Sequence, residues 1–228
     1  AENMGHATWL DDGIVALVEK LSALGKLDNT VILFFSDNTT LGGKGTCFDG
    51  GARTPCFLWG PGRVPGGVVC DKLVQNIDFV PTIFEFAGIQ PPPEMKLDGI
   101  SLVPLVANPQ ARWRDSLFLE IGHTRAICTE RWKYISLRYP PDMQQKINDK
   151  TLGRPAYHMD TSLNLQETAV KQHPGYWDAD QLYDLQADPR ERVNLAKDPQ
   201  HVQTVADLKS RLKEWLAGFN RPFGEFAP

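Results

Sequence analysis

Two stretches of the chain place apolar residues at helical spacing, one near each end. Residues 8–24 form the first stretch, and Gly25 stands where such a helix would end. Residues 202–219 form the second. Their apolar positions are Leu10, Ile14, Leu17, Val18, Leu21 and Leu24 in the first, and Val205, Leu208, Leu212, Trp215 and Leu216 in the second. The pattern predicts two amphipathic helices, each with one buried face.

Shorter apolar runs between these helices predict strands. Residues 30–35 form a continuous run, which is typical of a strand covered on both faces, and residues 54–59 predict a second strand. Four further runs alternate with turns, which predicts an antiparallel sheet. They are residues 116–121, 124–129, 133–137 and 181–185.

The remaining segments divide into one helix and two irregular regions. Residues 77–87 predict a helix that opens at Asp78, carries Pro81 in its first turn and ends at Gly88. The glycine-rich residues 41–51 predict irregular backbone, and residues 139–175 are polar without a clear period. This order of elements predicts an α/β domain over residues 1–112 and a smaller α+β domain over residues 113–228.

Composition narrows the functional classes. Hydrophobic residues make up 42% of the 228 positions, enough for a buried core, and the net charge is -4. Nucleic-acid binding calls for a clustered basic face, and this mildly negative chain gives no sign of one. No apolar run approaches the length of a transmembrane helix, and the first residues do not resemble a signal peptide.

The four cysteines, Cys47, Cys56, Cys70 and Cys128, form no C-x-x-C pair. Their spacing therefore argues against a zinc ribbon or a thioredoxin-like motif. Two disulfides remain possible with an undefined pairing, although buried free thiols are the favoured interpretation. Lys44 could favour a thiolate at Cys47, but no neighbouring base supports a nucleophile there.

Polar residues follow the first predicted strand directly. Asp37 offers a carboxylate and Asn38 an amide oxygen, the hard ligands that Ca²⁺ and Mg²⁺ prefer. Sites in α/β sheets form just beyond the carboxyl ends of strands. The competing interpretation is a simple turn, in which short polar side chains bond their own backbone. Local sequence alone favours the turn.

A second candidate is Lys44, which lies among glycines that allow close approach of a ligand. Its ammonium could neutralise an anionic oxygen as a compact charge. Gly45 separates Lys44 from Thr46, so the segment is not a phosphate-binding P-loop. A solvated loop lysine is the competing interpretation. Arg53, further along, could bind an anion or hold the loop in place.

Several motifs, taken in order, resemble the second half of the formylglycine-dependent sulfatases of the alkaline-phosphatase-like superfamily. The resemblance extends over nearly the whole chain, and its specificity lies in the order and spacing of motifs that are individually weak. The motifs are Trp9-Leu10-Asp11-Asp12-Gly13, Ser36-Asp37-Asn38, Gly43-Lys44-Gly45, Asp49-Gly50-Gly51-Ala52-Arg53-Thr54-Pro55, Asp78-Phe79-Val80-Pro81-Thr82, Asp98-Gly99-Ile100-Ser101-Leu102, Arg131-Trp132-Lys133-Tyr134 and Leu182-Tyr183-Asp184-Leu185 with Asp188-Pro189, Glu191 and Asn194-Leu195.

The resemblance implies a fold and a set of roles. The fold would be the C-terminal part of a mixed sheet flanked by helices, followed by a small α+β subdomain with an antiparallel sheet and a C-terminal helix. Asp37 and Asn38 would be calcium ligands, and Lys44 would contact the sulfate group. Arg53 would hold the loop, and the pair Asp11-Asp12 would be structural. The resemblance also implies a periplasmic, secreted or lysosomal setting.

One element of the family pattern has no match here. The family's nucleophile is a cysteine in C-x-P-x-R that is oxidised to formylglycine, and none of the four cysteines has this context. We therefore expect the nucleophile and an N-terminal segment of the same fold to lie upstream, and this chain alone to be inactive. Two alternatives stay open: a related phosphodiester or phosphonate monoester hydrolase, and a non-catalytic sulfatase-like binding chain.

Overall fold

The computed structural model describes residues 2–38, 43–153, 165–219 and 221–226. These residues form seven α-helices and six strands in the described ranges. In chain order the elements are α1 (Glu2–Ala23), β1 (Ile32–Phe35), α2 (Asp49–Ala52), β2 (Cys56–Trp59), α3 (Phe79–Ala87), α4 (Val103–Ala107), β3 (Leu117–Ile121), β4 (Thr124–Cys128), β5 (Trp132–Leu137), α5 (Pro141–Asn148), α6 (Leu165–Gln172), β6 (Asp180–Asp184) and α7 (Val202–Leu216). Short 3₁₀ turns cover Leu27–Asn29, Asn76–Asp78 and Pro199–His201.

The chain divides into two compact units. Unit 1 comprises residues 1–35, 55–71 and 75–112, and unit 2 comprises residues 36–54, 72–74 and 113–228. The segment that carries Asp37, Asn38 and Lys44 therefore belongs with the C-terminal sheet, although it precedes β2 in sequence. The assignment of two domains divided at residue 112 stays a prediction.

The first predicted helix of unit 1 is confirmed. It runs from Glu2 to Ala23, so it begins earlier than the apolar period alone predicted. Gly25 ends it with φ of 62°, and its N–H donates to the Ser22 carbonyl at 2.9 Å. Glycine adopts this left-handed conformation at little cost, which explains why the helix stops here.

The apolar face of α1 is less buried than the sequence predicted. Ile14, Val18 and Leu21 are half-buried, whereas Leu17 and Leu24 are 52% and 57% exposed. Strand β1, predicted to be covered on both faces, is also only half-buried. An apolar period shows which face of an element is suited to burial, but it does not show that the covering residues lie in the same chain.

We expect this difference in burial to be measurable as stability. Leu17→Ala and Leu24→Ala should change the free energy of unfolding of this chain by less than about 0.5 kcal/mol, because both side chains are already exposed. Leu212→Ala, at a fully buried position in α7, should lower it by about 2–5 kcal/mol. Urea unfolding of the three variants checks the contrast. Equal losses at Leu17 and Leu212 would contradict the exposure of α1.

Two sequence motifs of unit 1 bind each other. The Asp78 carboxylate is fully buried and accepts hydrogen bonds from the Gln75 and Ile100 backbone N–H groups, both at 2.8 Å. The Thr82 hydroxyl accepts one from the Leu102 N–H at 2.8 Å. A Cβ added at Gly99 would lie 2.1 Å from the Ile77 carbonyl oxygen, so only glycine allows this contact. The D-x-x-P-T and D-G-x-S-L motifs are therefore one structural clamp.

Strands β3 to β6 of unit 2 form the predicted antiparallel sheet, in the order β3-β4-β5-β6. Residues alternate between its two faces, because successive side chains of a strand point in opposite directions. One face packs against α7 and the C-terminal residues Phe223 and Phe226. The predicted C-terminal helix is thus confirmed, although it ends at Leu216 and leaves Trp215 36% exposed.

The opposite face of the sheet packs against residues from three separate segments. They are Cys47 and Phe48 next to α2, Ala169 of α6, and Tyr176. Residues 139–175, which the sequence left unassigned, contain α5 and α6, while residues 154–164 lie outside the described ranges. Within those ranges, no helix is both long and apolar enough to cross a membrane.

Candidate active site

Asp37 and Asn38 follow β1 after Ser36 and are joined by a side-chain hydrogen bond. The Asn38 amide nitrogen donates to Asp37 Oδ2 at 2.5 Å. The Ser36 hydroxyl donates to the Asn38 carbonyl at 2.7 Å, which closes a tight turn. The turn interpretation and the ligand interpretation are therefore compatible, because this bond uses neither Asp37 Oδ1 nor the Asn38 side-chain oxygen.

The chemistry of these two residues fits part of a calcium site. The pair supplies a carboxylate and an amide oxygen, both hard ligands, and Asp37 is exposed. Calcium takes about six to eight oxygens, so two residues account for a minority of its shell. In the described part of the chain, no group of three or more His, Cys, Asp or Glu residues is arranged to hold a metal ion.

Lys44 lies in a compact turn that begins at Gly43. The Gly43 carbonyl accepts hydrogen bonds from the Thr46 N–H at 3.1 Å and from the Thr46 hydroxyl at 2.6 Å. Lys44 itself is half-buried. Over the described residues, no ion pair ties its ammonium to a carboxylate. The backbone around Lys44 is thus ordered by its neighbours.

Two glycines bring the Lys44 turn into contact with α2. A Cβ added at Gly51 would lie 2.0 Å from the Gly43 carbonyl oxygen, and one added at Gly43 would lie 2.5 Å from the Gly50 carbonyl carbon. No side chain fits at either position without a backbone shift. Contrary to the expectation of irregular backbone, residues 49–52 form one helical turn, and it packs directly on the residue before Lys44.

The segment after Lys44 is buried in the core of unit 2. Cys47 is 2% exposed, and Phe48 is fully buried. The Phe48 ring stacks on His173, with centroids 3.7 Å apart and planes within 2°. Burial lowers the pKa of His173 below its usual value, which keeps the imidazole neutral at pH 7. Apolar packing therefore fixes the loop from one side.

A buried ion cluster of Lys133, Glu191 and Asp49 holds the segment after Lys44 from the other side. The Lys133 ammonium of β5 is fully buried and donates to Glu191 Oε1 at 2.7 Å and to Asp49 Oδ1. Glu191 Oε2 accepts from the Asp49 backbone N–H at 2.6 Å. Desolvation lowers the pKa of Lys133, but the adjacent Glu191 and Asp49 charges outweigh it and raise that pKa above its usual value. Lys133 therefore remains protonated.

The sequence missed Lys133 and Glu191 as loop anchors and assigned that role to Arg53. Arg53 lies 3.6 Å from Asp49, but its side chain is 81% exposed. An exposed ion pair of this kind contributes little to stability. The one available signal was a lysine inside the apolar pattern of residues 132–137, a position at which burial requires a charged partner.

The four cysteines differ in burial. All four are free; Cys47 and Cys128 are buried, whereas Cys56 and Cys70 are exposed. The interpretation of free thiols is confirmed, although only two of them are buried. Burial raises the pKa of Cys47 to about 11 despite its proximity to the Thr124 hydroxyl. The Cys47 thiol therefore stays protonated at neutral pH.

Comparison with known proteins identifies the family. Residues 2–89 match the family model named Sulfatase. Human arylsulfatase A is 30% identical over 206 residues, which cover 82% of this chain and 37% of that protein. Similarity to sulfatases therefore extends over most of the chain. The uncharacterized sulfatase YdeN of Escherichia coli is 38% identical over 107 residues, covering 42% of this chain and 19% of YdeN.

Solved structures show the same fold. A 2-O GAG sulfatase superimposes with a TM-score of 0.64 at 21% identity, covering 91% of this chain and 40% of the other. The phosphonate monoester hydrolase of Agrobacterium radiobacter gives a TM-score of 0.62 at 23% identity, covering 90% and 38%. The predicted α/β fold of the alkaline-phosphatase-like superfamily is confirmed.

The chain spans only part of the length of the sulfatases it matches. It covers 37% of the human arylsulfatase A and 19% of YdeN. That coverage is consistent with the prediction of a C-terminal portion. Calcium and formylglycine are general features of the family, and the roles of Asp37, Asn38 and Lys44 stay predictions.

Proposed function

We propose that this chain is the C-terminal portion of a sulfatase that hydrolyses sulfate esters through a formylglycine outside these residues. The observation that carries the proposal is the segment between β1 and α2. There, one turn holds an acid-amide pair and a second turn holds a half-buried lysine, within the residues that match the Sulfatase family model. The conserved chemistry of that family is hydrolysis of a sulfuric ester.

Each residue has a role in this proposal. The Lys44 ammonium contacts the sulfate group and stabilises negative charge on it or on the leaving oxygen, as a preorganised electrostatic group. Asp37 Oδ1 and the Asn38 amide oxygen are two of the calcium ligands, with the hydrogen bond between the two side chains setting their orientation. When bound, the calcium ion supplies Lewis-acid stabilisation of a sulfate oxygen.

The nucleophile and an N-terminal segment of the same fold complete the enzyme in this proposal. No cysteine in the 228 residues stands in C-x-P-x-R. Exposed apolar side chains in unit 1 support a covering segment, because monomeric proteins seldom leave large apolar patches in water. They include Trp9, Leu17, Leu24, Phe57 and Val69.

Peptide mapping of the protein isolated from its source tests the proposal. We expect an intact mass well above 25.5 kDa and an upstream C-x-P-x-R peptide that carries formylglycine. The same preparation should release sulfate from 4-nitrophenyl sulfate. An intact mass of 25.5 kDa without such a peptide would reject the proposal and favour a non-catalytic binding chain.

The isolated 228-residue chain should show no turnover of 4-nitrophenyl sulfate. Its lysine and metal ligands stabilise charge but cannot attack the sulfur, because the nucleophile is absent from these residues. The measurement is sulfate release by the purified chain with and without calcium. Calcium-dependent turnover that disappears in Lys44→Ala would contradict the placement of the nucleophile outside the chain.

Calcium should bind this isolated chain weakly, with Kd of about 1 mM or higher, because two protein oxygens fall far short of a full shell. Isothermal titration calorimetry measures the affinity. Asp37→Ala should abolish it, whereas Asp28→Ala, at an exposed carboxylate in the loop before β1, should not change it. Tight binding that survives Asp37→Ala would place the metal site elsewhere.

The likeness to a phosphonate monoester hydrolase supports a second candidate. That structure shares the fold with a TM-score of 0.62. A lysine and a divalent cation can stabilise a phosphoryl oxygen as well as a sulfuryl oxygen. Parallel assays of the parent protein with 4-nitrophenyl sulfate and with a 4-nitrophenyl phosphonate monoester separate the two. A higher kcat/KM for the phosphonate would favour this second function.

A further inference from the structure

A single buried ammonium connects the Lys44 loop to the C-terminal sheet. Lys133 contacts Asp49 across 84 residues of sequence and Glu191 across 58, while Glu191 binds the Asp49 N–H across 142. Asp49 is the first residue of α2, five positions after Lys44. These contacts all lie within unit 2.

The position of α2 is transmitted to Lys44 by backbone contact. Gly51 lies in α2 and meets the Gly43 carbonyl with no space for a side chain between them. Gly43 immediately precedes Lys44 and also accepts the two Thr46 hydrogen bonds that close the turn. A shift of α2 must therefore displace Gly43, and the Lys44 backbone with it.

We propose that Lys133 is a positioning residue for Lys44, which it holds in place through Asp49, Glu191 and the contact between the two glycines. This inference rests on the proposed sulfatase function, in which Lys44 contacts the sulfate. Lys133 is fully buried and does not itself reach the substrate. Its effect on turnover is therefore indirect, through the placement of the Lys44 charge.

The backbone conformation of Glu191 supports the positioning role of the ion cluster. Glu191 has φ of 53°, in the left-handed region that residues other than glycine seldom adopt. Its side chain is 1% exposed and serves two donors, the Lys133 ammonium and the Asp49 N–H. Residues in such conformations persist where their surroundings over-determine them, and they cluster at functional sites.

Stability alone is a weak reason for this cluster. Buried ion pairs can often be replaced by apolar residues of similar volume without loss of stability. An ammonium between two carboxylates does, however, fix direction, since each of its hydrogen bonds points to a defined oxygen. The ion cluster is therefore better suited to holding one loop conformation than to increasing the free energy of unfolding.

Hydrogen exchange of this chain tests the positioning without reference to catalysis. Lys133→Met should accelerate amide exchange in residues 43–54 by at least about tenfold, while exchange in β3, β4 and α7 stays within about twofold. Lys133→Arg should restore most of the protection. Asp49→Asn, which keeps the Lys133–Glu191 contact, should accelerate the same segment and provides a second variant if Lys133→Met fails to fold.

Leu212→Ala is the matched control, because Leu212 packs on the opposite face of the sheet. It should accelerate exchange throughout the sheet and α7 rather than in the loop alone. If Lys133→Met or Asp49→Asn gives this same uniform pattern, or leaves residues 43–54 protected, the inference is overturned.

Kinetics of the parent sulfatase test the consequence for Lys44. Lys133→Met should lower kcat for 4-nitrophenyl sulfate by at least about tenfold with KM within about twofold, and Lys133→Arg should recover it. Leu212→Ala should leave kcat unchanged at a temperature where it is folded. Unchanged kcat in Lys133→Met, with Lys44→Ala inactive, overturns the positioning role. Full activity in Lys44→Ala instead rejects the proposed function, while the exchange pattern still decides whether Lys133 orders the loop.

Discussion

Lys44→Ala should lower kcat/KM of the proposed parent sulfatase for 4-nitrophenyl sulfate by about 10²–10³-fold. The alanine removes a charge that sits in an ordered, half-buried turn, where water replaces it poorly. In the proposed role the ammonium stabilises charge that develops during reaction, so we expect most of the loss in kcat rather than in KM. Steady-state kinetics of the purified variant give both constants.

Lys26→Ala is the matched control for this experiment. Lys26 is exposed just after α1, so its removal tests the general effect of losing one positive charge. We expect its kcat/KM to remain within about twofold of the unmodified enzyme. A loss of less than about threefold in Lys44→Ala would show that Lys44 is a solvated loop lysine, as local sequence alone suggested.

Glu191→Ala should lower the free energy of unfolding of this chain by about 3–5 kcal/mol. It leaves the fully buried Lys133 ammonium with Asp49 as its one carboxylate partner among the described residues, and it removes the acceptor of the Asp49 N–H. Urea unfolding followed by circular dichroism measures the loss. Glu130→Ala, at an exposed glutamate between β4 and β5, should change it by less than about 0.5 kcal/mol.

A double variant separates the cost of an unpaired charge from the cost of lost packing. Lys133→Met with Glu191→Gln removes both charges and retains a side-chain oxygen for the Asp49 N–H. We expect it to be less destabilised than the sum of the single changes, because neither charge is left alone in the core. Additive losses would show that the two side chains do not act as a pair.

The four strands and the C-terminal helix of unit 2 could be predicted from sequence because each pattern has a local cause, whereas α2, α5 and α6 were not predicted. Successive side chains of each strand point to opposite faces of the sheet, and both faces are covered by apolar residues. Helix α7 buries Leu208, Leu212 and Leu216 on one side. Unit 1 was predicted less well in one respect. The period of α1 was correct, but the burial of Leu17 and Leu24 depends on covering residues that a period does not specify.

The candidate site shows the same limit more strongly. A strand end and a glycine-rich turn made Asp37, Asn38 and Lys44 candidates, and the family resemblance led to their selection. The Lys133 cluster could not, since its partners are 58 and 84 residues away. The assignment of Arg53 as the loop anchor followed from the family resemblance, whereas the buried anchor, Lys133, comes from β5.

The long separation between Asp49 and Glu191 has a consequence for synthesis of the protein. The acceptor of the Asp49 N–H lies 142 residues downstream, and a ribosome adds that many residues in roughly 7–28 s at about 5–20 residues per second. During that interval the Lys44 turn lacks the Glu191 part of its ion cluster and, until β6 is made, part of the sheet that covers Phe48. A nascent or prematurely terminated chain that ends before residue 191 therefore carries every predicted site residue in order, yet lacks the carboxylate that binds the Asp49 N–H.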